Sequence, residues 1–264
     1  MKTSTQRLLA EKDGAIGWMI FNNPDRLNAV SLDMWEAIPP ILEAFEADPD
    51  IRVIVLKGAG TKAFVAGADI SQFEETRSSP EKVQHYEDVS TRAFERIANA
   101  DRPTLAMING YCIGGGLGIA LSCDLRIAAE GSTFAIPAAK LGLAYGHEGT
   151  RRVVEIVGPA FAKEIFYTAR QFNHEEALTM GLINRVVPAD TLESYTRDYC
   201  AQIAANAPMT QMTAKRVIHE VLKAPENFDA AYCNRLIGQC FASRDYQEGR
   251  SAFMEKRKPK FIGK

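Results

Sequence analysis

The chain has 264 residues, of which 46% are hydrophobic and 24% are charged, and its formal net charge is −2. This composition is typical of a globular protein with a large core, and it excludes disordered, collagen-like and disulfide-scaffold proteins. The near-neutral charge provides no general attraction to nucleic acid or to a membrane surface, so neither is expected as a partner.

The cysteines and the N-terminus indicate a cellular compartment. The five cysteines form no CxxC pair, which favours reduced, buried thiols over a disulfide framework or a metal site. The first fourteen residues contain no apolar stretch of the length that a signal peptide needs. The uncharged run 103–123 contains the turn signal Asn109-Gly110, so we expect it in a core rather than in a membrane. A cytoplasmic protein is expected.

Strand and helix signals alternate along the first half of the chain. Apolar runs predict buried strands at 15–21, 52–57, 104–108 and 125–129. Apolar residues at helical spacing predict helices at 32–47 and 80–98. Pro39-Pro40 predicts a break or a kink in the first of these helices, because proline lacks the N–H that the helix requires.

The second half of the chain has a different character. From about Gly158 the pattern is mostly helical, with a short strand predicted at 183–187. Strands followed by helices predict an α/β fold with a helical C-terminal region. We place the core domain at residues 1–200 and the helical region at residues 201–264.

Two glycine-bearing segments carry the signs of a binding site. Residues 62–70 read KAFVAGADI, and residues 109–124 read NGYCIGGGLGIALSCD. Small residues let the backbone approach a ligand closely, and the free N–H groups at the start of a helix favour an oxygen anion. Taken singly, each segment is equally compatible with an ordinary tight turn.

In this order and at this spacing, the two segments resemble the enoyl-CoA hydratase/isomerase superfamily, the crotonases. The resemblance extends over nearly the whole chain. Its other segments are NPDRLNA at 23–29, SCDLR at 122–126, ALTMGLINRVVP at 177–188, DYQEG at 245–249 and FMEKRKPKF at 253–261.

The resemblance implies a crotonase-like superhelix of stacked ββα units and a helical C-terminal region that forms trimers, often paired into hexamers. It implies a coenzyme A thioester as substrate, with no other cofactor and no metal. The N–H groups of Ala68 and Gly115 match the oxyanion hole of the family. The remaining candidate contacts to substrate or CoA are Arg26, Ala29, Ala66, Ile70, Gly114, Gly118, Ala138, Lys258 and Phe261. For Lys258 and Phe261, a solvated basic terminus is the alternative.

The sequence departs from the family at the two catalytic glutamates of its hydratases, because Gly118 and Ala138 occupy those positions. The resemblance therefore implies an enzyme that stabilises a thioester enolate without being an efficient two-glutamate hydratase. The loss of the second glutamate also argues against the isomerases that retain only that one.

Polar residues of the following loop are candidates to replace the glutamates: Tyr145, His147 and Glu148. Tyr145 resembles a tyrosine of family members that decarboxylate methylmalonyl-CoA, and each of the three is also compatible with a purely structural hydrogen bond. Glu74 and Glu75 are further candidates, although a solvated helix face is the simpler interpretation. A decarboxylase or other lyase using Tyr145 or His147, and a non-catalytic acyl-CoA-binding trimer, remain as alternatives.

Overall fold

The computed structural model describes residues 3–72 and 78–264. Within these residues the strands are β1 (Leu8–Asp13), β2 (Ile16–Phe21), β3 (Val53–Gly58), β4 (Ala63–Val65), β5 (Thr104–Ile108), β6 (Tyr111–Ile113), β7 (Leu125–Ala129), β8 (Thr133–Ala135), β9 (Phe172–Asn173) and β10 (Arg185–Val187). The α-helices are α1 (Leu32–Ala47), α2 (Pro80–Ala98), α3 (Gly115–Ser122), α4 (His147–Thr168), α5 (His174–Thr179), α6 (Leu192–Ala204), α7 (Pro208–Val221), α8 (Ala230–Ala242) and α9 (Arg244–Met254).

The described strands form a larger sheet in the order β1-β2-β3-β5-β7-β10 and a smaller sheet in the order β4-β6-β8-β9. The consecutive pairs β3/β4, β5/β6 and β7/β8 each give their first strand to the larger sheet and their second to the smaller one. Successive pairs lie parallel to one another in both sheets. A helix follows each pair, so the predicted stack of ββα units is confirmed.

The larger sheet is covered on both faces, which is why its strands read as continuous apolar runs. Along β3, Ile54 and Leu56 point to the core shared with α1, α2 and α3. Val53 and Val55 point to a second apolar cluster on the opposite face, which α6 covers. Side chains alternate between the two faces of a strand, so one run of four apolar residues supplies both cores.

The break expected in α1 is wrong, because the helix continues through Pro39 and Pro40. Its buried face includes Met34 and Trp35 before the prolines and Ile41 and Leu42 after them. Packing of this face against the core supplies most of the helix's stability, and it outweighs the intrahelical hydrogen bonds that the prolines cannot make.

The C-terminal part of the described chain is helical, as predicted. Helix α4 contains a sharp kink at Gly158, whose φ of +74° is a left-handed conformation that glycine adopts at little cost. The predicted boundary at residue 200 lies inside α6, and the division into domains stays a prediction. Among the described residues, none of the helices combines the length and apolar character that a bilayer crossing requires.

Candidate active site

The loop between β2 and α1 is held in place by one buried side chain. Leu27 and Asn28 have φ values of +52° and +57°, an uncommon conformation for residues other than glycine. The Asn28 amide donates hydrogen bonds to the carbonyls of Ala59 (3.0 Å) and Ala63 (2.8 Å), and its oxygen accepts one from the Asn23 N–H (3.1 Å). These bonds tie the segment that carries Arg26 and Ala29 to the end of β3 and to β4.

The segment 66–69 pairs with this loop through backbone hydrogen bonds. The Ala66 N–H donates to the Leu27 carbonyl (3.0 Å) and the Asp69 N–H donates to the Val30 carbonyl (2.9 Å). In the part of the chain that the structure describes, no acceptor is found for the Ala68 N–H. Ala68 is half-buried, so a ligand atom can reach this donor.

A second unused donor lies at the start of α3. Gly114, with φ of +54°, precedes the helix, and its N–H donates to the Ala135 carbonyl (2.8 Å). Gly115 is the first residue of the helix, where an N–H has no intrahelical partner. Its N–H finds no acceptor within residues 3–72 and 78–264.

Close packing brings Ala68 and Gly115 together. A Cβ on Gly116 would lie 2.0 Å from the carbonyl oxygen of Val65, so only glycine allows α3 to approach β4 this closely. A Cβ on Gly115 would lie 3.9 Å from the Ala68 nitrogen and 3.5 Å from Cζ2 of Trp35. We call the space bounded by Ala68, Gly115 and Trp35 the oxyanion recess.

One turn further along α3, aromatic rings occupy the space beside Gly118. A Cβ on Gly118 would lie 3.0 Å from two ring carbons of Phe94 and 3.4 Å from the Tyr145 hydroxyl oxygen. Phe94 packs edge-on against Trp35, with ring centroids 5.0 Å apart. We call Trp35, Phe94 and Tyr145 the aromatic wall. A glutamate at position 118 would require Phe94 and Tyr145 to move.

The Tyr145 phenol is a neutral group in this environment. Burial raises its pKa to about 12. Its hydroxyl has no hydrogen-bond partner among the described residues, and its ring packs 5.3 Å from that of Phe166. At neutral pH, Tyr145 can therefore donate its proton but cannot act as a base.

Ala138 lies in a short 3₁₀ turn, Pro137–Leu141, on the other side of the start of α3. A Cβ on Gly114 would lie 3.9 Å from Cδ of Pro137. The Ala138 carbonyl accepts a hydrogen bond from the Leu143 N–H (3.0 Å). Ala138 itself is half-buried against the main core. Neither Gly118 nor Ala138 supplies a carboxylate.

The other two candidates in the loop after Ala138 lie in solvent. The His147 and Glu148 side chains are 92% and 50% exposed, and His147 Nε2 lies 3.3 Å from Glu148 Oε1. The structure therefore brings Tyr145, but not His147, to Gly118. The catalytic roles of these residues stay predictions, and the geometry favours Tyr145.

A buried hydrogen-bond chain fixes the far end of α3. Arg152 Nη1 donates to Ser122 Oγ (2.8 Å), which donates in turn to the Gly118 carbonyl (2.8 Å). Burial lowers the pKa of Arg152. Because this chain holds Gly118 beside the aromatic wall, Arg152 has a positioning role.

The candidate CoA contacts near the N-terminus lie close to the recess. The Arg26 guanidinium is half exposed and lies 3.6 Å from the Asp69 carboxylate, which also accepts hydrogen bonds from Ser71. The backbone of Ile70 begins a 3₁₀ turn, but its side chain lies outside the described residues, as do Glu74 and Glu75.

The tail, residues 255–264, lies at the other end of the larger sheet. The Phe261 carbonyl accepts a hydrogen bond from Arg52, just before β3, whereas Asn28 binds Ala59, just after β3. One strand of six residues, roughly 17 Å, separates these two ends. Lys258 lines a groove of about 580 Å³ at this end, together with Arg244, Asp245, Glu248, Arg257, Lys260 and Ile262.

Sequence reasoning missed Phe94. Phe94 is one apolar position of an amphipathic helix, and Gly118 lies 24 positions away, so no local pattern connects the two. The sequence placed the catalytic candidate Tyr145 near the second missing glutamate, whereas its hydroxyl lies beside the position of the first, Gly118.

Comparisons with known proteins identify one family for the chain. The family model for enoyl-CoA hydratase/isomerase matches residues 11–264. A short-chain-enoyl-CoA hydratase of Clostridium acetobutylicum is 33% identical over 251 residues, which cover 95% of each chain. A crotonyl-CoA hydratase of Syntrophomonas wolfei is 32% identical over 259 residues, covering 98% of this chain and 99% of that protein.

A solved structure extends the agreement to the whole fold. An enoyl-CoA hydratase/isomerase family protein from Hyphomonas neptunium matches with a TM-score of 0.94 and 34% identity, and the match covers 100% of both chains. The resemblance drawn from the sequence is thereby confirmed, and the chain belongs to the enoyl-CoA hydratase/isomerase family.

Proposed function

We propose that this protein converts acyl-CoA thioesters by stabilising a thioester enolate in the oxyanion recess. The observation that carries the proposal is the pair of half-exposed N–H donors, Ala68 and Gly115, for which no acceptor is found within the described residues. As an enolate forms, the thioester oxygen gains negative charge. Fixed donors aimed at that charge lower the barrier by roughly 3–4 kcal/mol each.

The CoA moiety is proposed to enter past the loop 23–29. Arg26 offers a half-exposed guanidinium for a phosphate, and Ala29 and Ala66 lie on paired segments that lead to Ala68. Ile70 and Gly114 flank the same recess along the chain. The thioester is the substrate, and the proposal requires no further cofactor.

Efficient hydration is not expected, although the two named relatives are called hydratases. Addition of water requires one group to activate the water and one to protonate the α-carbon. Each such group raises the reaction rate about 10²–10⁴-fold. Gly118 and Ala138 supply neither group, and Phe94 and Tyr145 fill the space beside Gly118.

One observation favours a lyase, in particular a decarboxylase. The Tyr145 hydroxyl lies 3.4 Å from the Cβ position of Gly118, and its raised pKa keeps it protonated. In a decarboxylation, the bond from the α-carbon to the carboxylate breaks, carbon dioxide leaves, and the electron pair forms the enolate. Tyr145 then gives its proton to the α-carbon and recovers a proton from water. The oxyanion recess holds the enolate oxygen throughout.

A panel of thioesters distinguishes the candidates. Crotonyl-, butanoyl-, malonyl- and methylmalonyl-CoA are incubated with the protein and followed by mass spectrometry. Turnover of malonyl- or methylmalonyl-CoA with loss of carbon dioxide supports the lyase. Fast hydration of crotonyl-CoA contradicts the expectation that this protein is not an efficient hydratase. Binding of the panel without any turnover supports the non-catalytic binder.

A homotrimer, or a pair of trimers, is the proposed assembly. Phe241, Phe253 and Met254 are 61%, 83% and 80% exposed in the single chain, and a closed ring would cover such apolar residues. Lys258 and Phe261 lie about a strand length from the recess of their own chain, and we propose that they contact the CoA phosphates of their own chain or of a neighbouring copy. Light scattering should give a trimer or a hexamer, and a stable monomer at micromolar concentration would contradict the assembly.

A further inference from the structure

Helix α3 supplies the Gly115 donor, and its residue Gly118 faces the aromatic wall that closes the pocket. Gly115 and Gly118 are three residues apart, so they lie on the same face of α3. The Cβ position of Gly115 faces Trp35, and that of Gly118 faces Phe94 and Tyr145. An acyl group whose oxygen is held at Gly115 and which extends along this face therefore meets the Phe94 ring after about one helical turn, roughly 5 Å.

The Phe94 ring is held firmly. It packs edge-on against Trp35, whose indole is 1% exposed. The Trp35 indole N–H donates a buried hydrogen bond to the Tyr86 hydroxyl (2.8 Å), which fixes the orientation of the ring that Phe94 rests on. Phe94 is itself only half-buried, so part of its ring is free to contact a ligand.

We propose that Phe94 closes the acyl pocket and sets the largest acyl group that the protein accepts. The substrate class is then a CoA thioester with a short acyl group, because a longer straight chain along α3 would collide with the ring. Tyr145 forms the second half of the same wall, with its hydroxyl directed to the reacting carbons. This inference rests on the proposed function and makes it more specific.

The same geometry explains why position 118 is a glycine. Any side chain there would press on Phe94 at 3.0 Å, closer than ordinary van der Waals contact. Where the hydratases of the family carry a carboxylate on α3, this chain places the Phe94 ring and the Tyr145 hydroxyl beside Gly118.

Binding of saturated thioesters tests the inference without requiring turnover. Acetyl-, butanoyl-, hexanoyl- and octanoyl-CoA are titrated by calorimetry into the wild type and into the Phe94→Ala and Phe94→Leu variants. The leucine variant retains more of the core packing if the alanine variant folds poorly. Phe161→Leu is the matched control, because it makes the same change at a solvent-exposed ring outside the aromatic wall.

Each buried methylene tightens binding about fourfold. We expect wild-type affinity to rise up to butanoyl-CoA and then to level off or fall, with the same profile in Phe161→Leu. In Phe94→Ala the rise should continue, so that hexanoyl-CoA binds about fifteenfold more tightly than butanoyl-CoA. Phe94→Leu should show part of this gain. A wild-type profile that keeps rising to octanoyl-CoA, or one that neither Phe94 variant changes, would overturn the role of Phe94. Failure of all four thioesters to bind would instead overturn the proposed function.

Discussion

The oxyanion recess and the tail are held together by different forces. Around the recess, every residue of α3 after Gly115 is buried, and the contacts are backbone atoms and rings that approach one another closely. The tail is held by carboxylates of α9: Glu248 accepts hydrogen bonds from the Arg257 guanidinium and the Lys260 N–H, and the buried Asp245 accepts from the N–H groups of Ile262 and Gly263.

This contrast has a practical consequence. Around Gly116 and Gly118 the packing leaves little or no room for an added atom, so small substitutions there should have large effects that neither salt nor pH can relieve. Ion pairs at a surface are weak and are screened by salt, so substitutions in the tail should have small effects that depend on both. The following variants test the contrast, beginning with the one of largest expected effect.

Removing a single N–H group from the recess should cost the most. In Gly115→Pro the donor is lost, yet proline suits the first position of a helix and the Cβ has room. We expect turnover of any identified thioester substrate to fall by about 10²–10³-fold. Gly115→Ala keeps the N–H and should retain activity within a few-fold. Equal rates in the two variants would show that the donor is not used.

Removing the phenol hydroxyl should have the next largest effect. In Tyr145→Phe, the rate of a reaction that needs a proton at the α-carbon should fall by about 10²-fold. Because the pKa of Tyr145 is raised to about 12, the wild-type rate should show no titration of this group between pH 6 and 9. His147→Ala and Glu148→Gln are the surface controls. A loss of rate confined to these two variants would show that Tyr145 is not the proton donor.

The fold could be predicted further than the site. Strands such as 104–108 were predicted because parallel strands buried on both faces leave a continuous apolar run. The three-residue strands β4, β6 and β8 were missed, because they are too short to show a period. Pro39-Pro40 misled the local prediction, since tertiary packing decides whether α1 continues.

The oxyanion donors could be predicted from the family resemblance, whereas the aromatic wall depends on long-range contacts. The resemblance located Ala68 and Gly115. The structure places the Ala68 nitrogen 3.9 Å from the Cβ position of Gly115, and neither N–H has an acceptor in the described residues. Phe94 and Tyr145 meet Gly118 across 24 and 27 positions of sequence, and no period or motif encodes such a contact. The contacts of Phe94 and Tyr145 with Gly118 arise only from the folded structure.

Adding one methyl group beside Tyr145 should destabilise the protein. In Gly149→Ala, the new Cβ would lie 2.6 Å from Cε1 of Tyr145. Overpacking of this kind costs about 1–3 kcal/mol in the free energy of unfolding, and the displaced ring should also slow turnover. Gly146→Ala is the matched control, because nothing lies within 4 Å of its Cβ. Urea denaturation measures the free energy of unfolding of both variants. Equal values would show that Tyr145 does not pack on Gly149.

Neutralising Glu248 should have the smallest effect. The Arg257 guanidinium beside it lowers the pKa of this carboxyl from 4.5 to about 2. A lowered carboxyl pKa means that the stabilisation is present above pH 4.5 and is lost as the pH falls toward 2. Glu248→Gln should lower Tm slightly at pH 7 and low salt, by less than Gly149→Ala does, and the difference should vanish in high salt. A decrease that is large and independent of salt would contradict the contrast between the two regions.

The central claim, that two backbone N–H groups hold the thioester oxygen, can be tested by infrared spectroscopy. The carbonyl stretch of butanoyl-CoA labelled with carbon-13 at the thioester carbon is measured in water and when bound to the wild type, to Gly115→Ala and to Gly115→Pro. Hydrogen bonds to the oxygen weaken the carbonyl bond, so we predict a lower frequency on the wild type and on Gly115→Ala than in water, with most of that shift lost in Gly115→Pro. A bound carbonyl that vibrates at its aqueous frequency, or that shifts equally in all three proteins, would contradict the account.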